Sequence, residues 1–135
     1  MVYRVFYLTV PLLIIGLSLG QQVRSVSCSD NEVYVKFVKK TASWASDESW
    51  QILDGNSVLY TSPTLTNSQT RTIETCLTAS TNNQYTLKMK DTVGDSWASG
   101  AWLEVYGINN NLALKVMMTE VREETVKLSL YSPIN

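Results

Sequence analysis

In "QYTLKMKD", Tyr85, Leu87 and Met89 alternate with Thr86, Lys88 and Lys90. A period of two marks a strand with one buried and one wet face. The same reading extends along most of the chain. "EVYVKFVK", from Glu32 to Lys39, is a first strand and "SWQILD" a second. Asp54-Gly55 with Asn56 turns the second into a third, "SVLYT". "SPTLTNSQ" is a loop of turn formers. "TRTIETCLT" is a fourth strand, with Ile73, Thr75 and Leu77 on one side, and "STNNQ" turns it into the fifth. "AWLEVYG" is a sixth strand, "LALKVMM" a seventh after "INNN", and "ETVKLSLY" the last. No long stretch has helical period.

One phrase occurs twice. "WASDESWQILDGN" spans Trp44 to Asn56, and "WASGAWLEVYGIN" spans Trp97 to Asn109. Gly55 follows Trp50 by five places, as Gly107 follows Trp102. Tyr34 opens the strand before the first phrase and Tyr85 the strand before the second. The chain therefore reads as two diverged four-strand units, about 28–78 and 82–131. One such unit leaves an apolar face wet, and two stacked face to face bury it. The expectation is all-β: an eight-strand sandwich of jelly-roll or Greek-key type, with approximate twofold symmetry.

The start of the chain has a different texture. Arg4 precedes an almost wholly apolar run from Val5 to Leu19, and Ser18 and Gly20 are small. This is the pattern of a signal peptide over residues 1–20, cleaved before Gln21, leaving one β domain over 21–135. The run is short for a membrane span. An uncleaved anchor stays open as the alternative. Secretion makes Cys28 and Cys76 disulfide partners, with free thiols or an intermolecular bridge as the other arrangements. No asparagine stands in an Asn-x-Ser/Thr acceptor sequence.

Charge narrows the partners. Taking Arg4 from the eleven basic residues leaves ten against twelve acidic ones. No strong field draws nucleic acid or an anionic membrane. Lys36, Lys39 and Lys40 form a small basic cluster, read as a solvated strand edge.

Chemistry is narrowed by the absence of histidine. That removes the usual general base and the Ser-His and Cys-His nucleophile pairs. A carboxylate pair, Glu48 with Asp95, is a remote candidate for glycoside hydrolysis, and no catalytic residue is assigned. The acidic loops suit a cation better. Asp91 and Asp95 flank Gly94 in "DTVGDSW", and Asp47 and Glu48 lie in "SDESW". Such carboxylates are ligands for calcium, and the competing reading is plain turn chemistry.

The run "YTLKMKDTVGDSW" resembles a module of secreted and cell-surface proteins of microbial eukaryotes. Its pattern is Tyr-Thr-Leu, three residues, then Asp-Ser-x-Gly-Asp-Gly-Trp. Tyr85, Thr86, Leu87, Asp91, Gly94, Asp95 and Trp97 match it, and Glu48-Ser49-Trp50 resembles the stretch that precedes such modules. Thr92 stands where Ser is usual, Ser96 replaces the last Gly, and Gln84 takes the place of a frequent Cys. The resemblance implies an extracellular β-module without implying one activity. Calcium-dependent sandwiches of the CUB type are an analogy of fold only.

The four tryptophans divide. Trp50 shares a strand face with Ile52 and belongs in the core. Trp102 shares a face with Glu104 and Tyr106 and fits either place. Trp44 and Trp97 lie in loops beside carboxylates. Exposed, they stack on sugar rings; buried, they plug the sandwich. The candidate ligand-binding residues are Trp97, Trp44 and Asp95. The candidate calcium ligands are Asp91, Asp95, Asp47 and Glu48. Met117 and Met118 face opposite sides of a strand, a feature that suits self-association. The sequence thus points to a secreted, non-enzymatic recognition module for an extracellular glycan or protein. The alternative is a structural subunit of a coat, matrix or filament.

Overall fold

A computed structural model of the chain describes residues 26–131. The expected signal peptide, residues 1–20, lies outside the described residues. The strands are β1 (Glu32–Lys40), β2 (Glu48–Asp54), β3 (Ser57–Thr61), β4 (Thr70–Thr78), β5 (Tyr85–Asp91), β6 (Trp102–Tyr106), β7 (Leu112–Val116) and β8 (Glu123–Leu128). All eight overlap the stretches read as strands in the sequence, though the seventh stops at Val116, before Met117 and Met118, and the eighth stops at Leu128. Short 3-10 turns at Ala45–Asp47 and Ile108–Asn110 are the remaining elements among the described residues. No helix there is long and apolar enough to cross a membrane.

The strands form two antiparallel sheets, ordered β4-β1-β6-β7 and β3-β2-β5-β8. Exchanging β1 with β5, β2 with β6, β3 with β7 and β4 with β8 turns one order into the other. The exchange that relates the two halves of the chain thus also swaps the two sheets, and each half places two strands in each sheet. The core lies between them. Val35 and Phe37 from β1, Trp50 and Ile52 from β2, Leu87 and Met89 from β5, and Leu103 and Val105 from β6 are fully buried. The Phe37 ring stacks on Tyr60 at 4.8 Å and tilts against Trp50 at 5.5 Å. Cys28 and Cys76 are joined, tying the segment before β1 to β4.

The two phrases of the sequence repeat differ in depth. Inward positions Val35, Phe37 and Lys39 of β1 correspond to Leu87, Met89 and Asp91 of β5. Glu48 faces Asp91 across β2 and β5, while Leu103 faces Lys39 across β6 and β1. Leu103 therefore takes the place of Glu48, and Val105 that of Trp50. Trp50 is wholly buried and Trp102 lies half-exposed on the outer face. The loop tryptophans are reversed: Trp97 is buried and Trp44 is 72% exposed. Each phrase contributes one tryptophan to the interior and turns the other toward water.

Both hairpins carry a bulge. Ile52 pairs with Tyr60 but Leu53 with Val58, leaving Leu59 unpaired on β3. Val105 pairs with Leu114 but Tyr106 with Leu112, leaving Ala113 unpaired on β7. An extra residue on one strand bends it and sharpens its twist. β3 and β7 are edge strands at opposite ends of their sheets' orders, and they are partners under the exchange of halves.

Candidate functional site

β1 ends, β2 begins, β5 ends and β6 begins at the same end of the sandwich, because these strands pair antiparallel with those residues in register. Glu48 and Asp91, one from each acidic stretch, are direct cross-strand partners. Both are buried, at 3% and 4% exposed.

A cation does meet Glu48, and it belongs to the protein. Lys39 Nζ lies 2.6 Å from Glu48 Oε2, with both side chains essentially inaccessible. The backbone N–H of Ala98 donates to Glu48 Oε1 at 2.9 Å. The same ammonium sits 3.7 Å from the Trp97 ring centroid and donates to the Lys40 carbonyl at 3.3 Å. Burial pushes the Lys39 pKa down, and the hydrogen bond and charge of Glu48 act against that shift. A desolvated ammonium persists only where a carboxylate and further acceptors replace water. The reading of Lys36, Lys39 and Lys40 as one solvated edge therefore fails for Lys39. Its signal was in the alternation: Val35, Phe37 and Lys39 share one strand face.

Asp91 performs turn chemistry. Its Oδ1 accepts from Gly94 N–H at 2.6 Å and Asp95 N–H at 3.2 Å. Gly94 has φ +89°, the left-handed conformation that glycine adopts freely. Ser96, two residues on, holds φ 71° without being glycine. Its N–H donates to the Val121 carbonyl and its hydroxyl to the Met118 carbonyl at 2.9 Å. Trp97 follows, with its indole N–H donating to the Lys90 carbonyl at 3.0 Å. Trp97 is thus a plug between the sheets, roofing Lys39 and Glu48, and is no open stacking surface.

Asp47 and Asp95 have carboxylates outside this buried knot. Asp95 is exposed and Asp47 half-buried. The Thr92 backbone N–H donates to the Asp47 carbonyl at 3.0 Å, and its hydroxyl to Asp47 Oδ1 at 3.4 Å. The two acidic loops are therefore adjacent. Among the described residues, no group of three or more His, Cys, Asp or Glu side chains is placed to hold a metal ion.

Trp44 stands apart from the plug. It has φ 60° and ψ 30°, a left-handed backbone that is unusual for a bulky residue. Ser68, in the facing loop, has φ 55°. The two loops lock together. Thr41 N–H donates to the Gln69 carbonyl at 2.8 Å, Ser68 N–H to the Ala42 carbonyl at 3.0 Å, and Ala45 N–H to Asn67 Oδ1 at 2.9 Å. Between them lies a cavity of about 340 Å³ lined by Lys40, Thr41, Ala42, Ser68, Gln69 and Thr70. The sequence repeat drew attention to Trp44, but nothing in it marked 66–70 as the loop that would face it.

The outer faces of the two sheets differ. One presents Ser49, Gln51, Thr86, Lys88 and Thr125. The other presents Lys36, Trp102, Glu104, Tyr106 and Lys115, which interlock. Lys115 lies 4.5 Å from the Trp102 ring centroid and 3.2 Å from Glu104, and Lys36 lies 4.4 Å from the Tyr106 ring centroid. The Tyr106 hydroxyl donates to Glu104 at 2.7 Å, the main cause of the lowered Glu104 pKa and the raised Tyr106 pKa. These aromatic rings already carry ammonium partners.

No family model, curated protein or solved structure matches this chain.

Proposed function

We propose that this protein is a secreted recognition module that binds an extracellular glycan through Trp44. The observation that carries this reading is the conformation of that residue. An indole 72% exposed on a left-handed backbone is unfavourable twice over, in hydration and in backbone sterics. Such features persist where a surface is kept for contact. A flat indole suits the apolar face of a sugar ring. The disulfide supports an oxidising, extracellular setting. The matching strand orders support descent of the two halves from one four-strand unit. In each half a hairpin in one sheet is flanked in sequence by two neighbours in the other, which supports a Greek-key reading of the sandwich.

The reading is non-enzymatic. Glu48 is engaged by Lys39 and Ala98, which supports a structural role for it. Calcium enters the proposal in a narrow form: Asp47 and Asp95 are the carboxylates left to order the rim. A second reading, a coat or matrix subunit, is favoured by exposed Leu112, which opens β7, and exposed Met117, the residue after its end.

A glycan array tests the proposal, run in millimolar calcium and again in chelator. Wild type binds, and Trp44→Ala weakens binding by about tenfold or more, equivalent to about 1.4 kcal/mol. Its unfolding midpoint stays unchanged, as for surface substitutions generally. Binding lost in chelator supports calcium at the acidic loops; binding kept there removes the metal. A blank array in both conditions ends the glycan reading and leaves the structural subunit.

A further inference from the structure

The contact between Lys39 and Glu48 has more in place than an ion pair requires. Lys39 Nζ is 2.6 Å from Glu48 Oε2, and the carboxyl carbon is one bond further on. Nitrogen and acyl carbon are thus close to a near-attack separation. Both side chains are essentially inaccessible, and the Trp97 ring centroid lies 3.7 Å from the ammonium. Bulk water, which would hydrolyse an acyl product, is shut out. Burial drives the lysine toward its neutral, nucleophilic form, against the pull of Glu48. The other carboxylate oxygen, Oε1, already accepts the Ala98 N–H at 2.9 Å. That donor stands where an oxyanion would develop.

A second carboxyl group stands opposite the first. Asp91 is the cross-strand partner of Glu48, inward-facing like it and 4% exposed. Such partners have Cβ atoms about 4.5–5.5 Å apart. The Gly94 and Asp95 N–H groups hold its Oδ1, so the group is fixed beside the pair. The knot therefore contains one carboxyl group more than charge pairing with Lys39 calls for. An amine, an acyl carbon, an oxyanion donor and a further acid group meet in one dry place.

We propose that Lys39 and Glu48 condense after folding into an amide that joins the two sheets covalently, with Asp91 relaying the proton. The newly folded chain holds the ion pair, and the amide is what that pair matures into. A proton first crosses the 2.6 Å hydrogen bond, leaving a neutral amine and a neutral acid. The Nζ lone pair attacks the Glu48 carboxyl carbon, and charge builds on Oε1 beside the Ala98 N–H. Asp91 takes a proton from the nitrogen and returns it to the departing Oε2. The N–C bond forms, the C–O bond breaks and one water leaves; nothing is oxidised or reduced. The product stays satisfied. Its carbonyl oxygen keeps the Ala98 N–H, and its remaining N–H faces the Lys40 carbonyl, 3.3 Å from Nζ. Two buried charges give way to one neutral group, which removes their desolvation cost. The inference is independent of the glycan reading.

The test is the intact mass of the full chain expressed through a secreting host, reduced and denatured, with fragment spectra fixing its N-terminus. The mass falls short of the sum of its residues by one water. A protease digest yields a branched peptide joining Lys39 to Glu48. The double variant Lys39→Met with Glu48→Leu keeps its full mass and stays folded. Asp91→Asn keeps an oxygen for the Gly94 and Asp95 N–H groups, so it folds with the unfolding midpoint unchanged. Its water loss is slower by about a hundredfold, the low end of what acid–base catalysis contributes. Wild type at full mass after long storage at neutral pH overturns the proposal and leaves the ion pair as the final state. A lost water that maps to Asp54-Gly55, as a cyclic imide, also overturns it. Water loss unslowed in Asp91→Asn overturns the relay. Whatever the mass, the glycan array decides the recognition reading separately.

Discussion

Lys39 is the residue around which the candidate site has to be reread. A buried ammonium and a buried carboxylate are each costly alone, and together they hold the two sheets at one point. Removing one partner leaves the other uncompensated. Glu48→Gln is expected to cost about 3–5 kcal/mol in denaturant unfolding. The double replacement Lys39→Met with Glu48→Leu is expected to recover most of that loss, since an apolar pair of similar volume needs no solvation. If Glu48→Gln unfolds at the wild-type denaturant concentration, the pair is not a structural tie. Tyr85 gives a second residue-scale expectation. Its hydroxyl accepts from Ser80 N–H at 2.9 Å and donates to the Thr78 carbonyl at 3.1 Å. Burial is the main cause that pushes its pKa up from 10.0, with charge from Tyr131 and Asp54 in the same direction and the Ser80 hydrogen bond opposing. A raised folded pKa means that the folded state holds the proton longer. The stability from this hydroxyl is full below the ordinary phenol pKa and is lost as pH rises through the folded value. Tyr85→Phe is therefore expected to lose stability less steeply than wild type above about pH 10, while starting about 1–3 kcal/mol lower at neutral pH. Parallel pH profiles for the two proteins would contradict this. Lys39 has the opposite sign, its folded pKa being lowered, so the variant comparison isolates the phenol.

At the scale of elements, alternation was enough to place all eight strands, because each has one face in the core. It also holds the buried lysine: Lys39 shares its parity with Val35 and Phe37, and only its charge makes it look like a surface residue. The tryptophan repeat located the right loops. It could not say which ring is inside, since that depends on strand register, and β6 is shifted against β1 relative to the pairing of β2 with β5. The bulges on β3 and β7 were not legible either, because an unpaired Leu59 or Ala113 looks like any strand residue until its partners are known. They bear directly on assembly. A bulged edge twists away from a flat partner. β8, an edge of the second sheet, carries Glu123, Glu124 and Lys127, and β4, an edge of the first, carries Arg71 and Glu74. Each edge thus has a device against pairing. The protein is expected to sediment as a monomer at tens of micromolar. A dimer, or a concentration-dependent larger species, would favour the coat or matrix reading and would point to Leu112 and Met117.

The whole molecule is organised by the exchange of halves between sheets. The first half alone supplies two neighbouring strands to one sheet and two to the other, and each pair waits for strands that come later in the sequence. β1 finds its second neighbour only when Tyr106 has been made, and β2 only when Tyr85 to Asp91 exist. Cys28 and Cys76 both lie in the first half, Cys28 on the segment leading into β1 and Cys76 on β4, which pairs with it. The covalent link can therefore close during synthesis, before the interior that it will border has been completed. Seen in time, the disulfide is a clasp available early: it joins the ribbon of β1 and β4, whose pairing needs no residue of the second half.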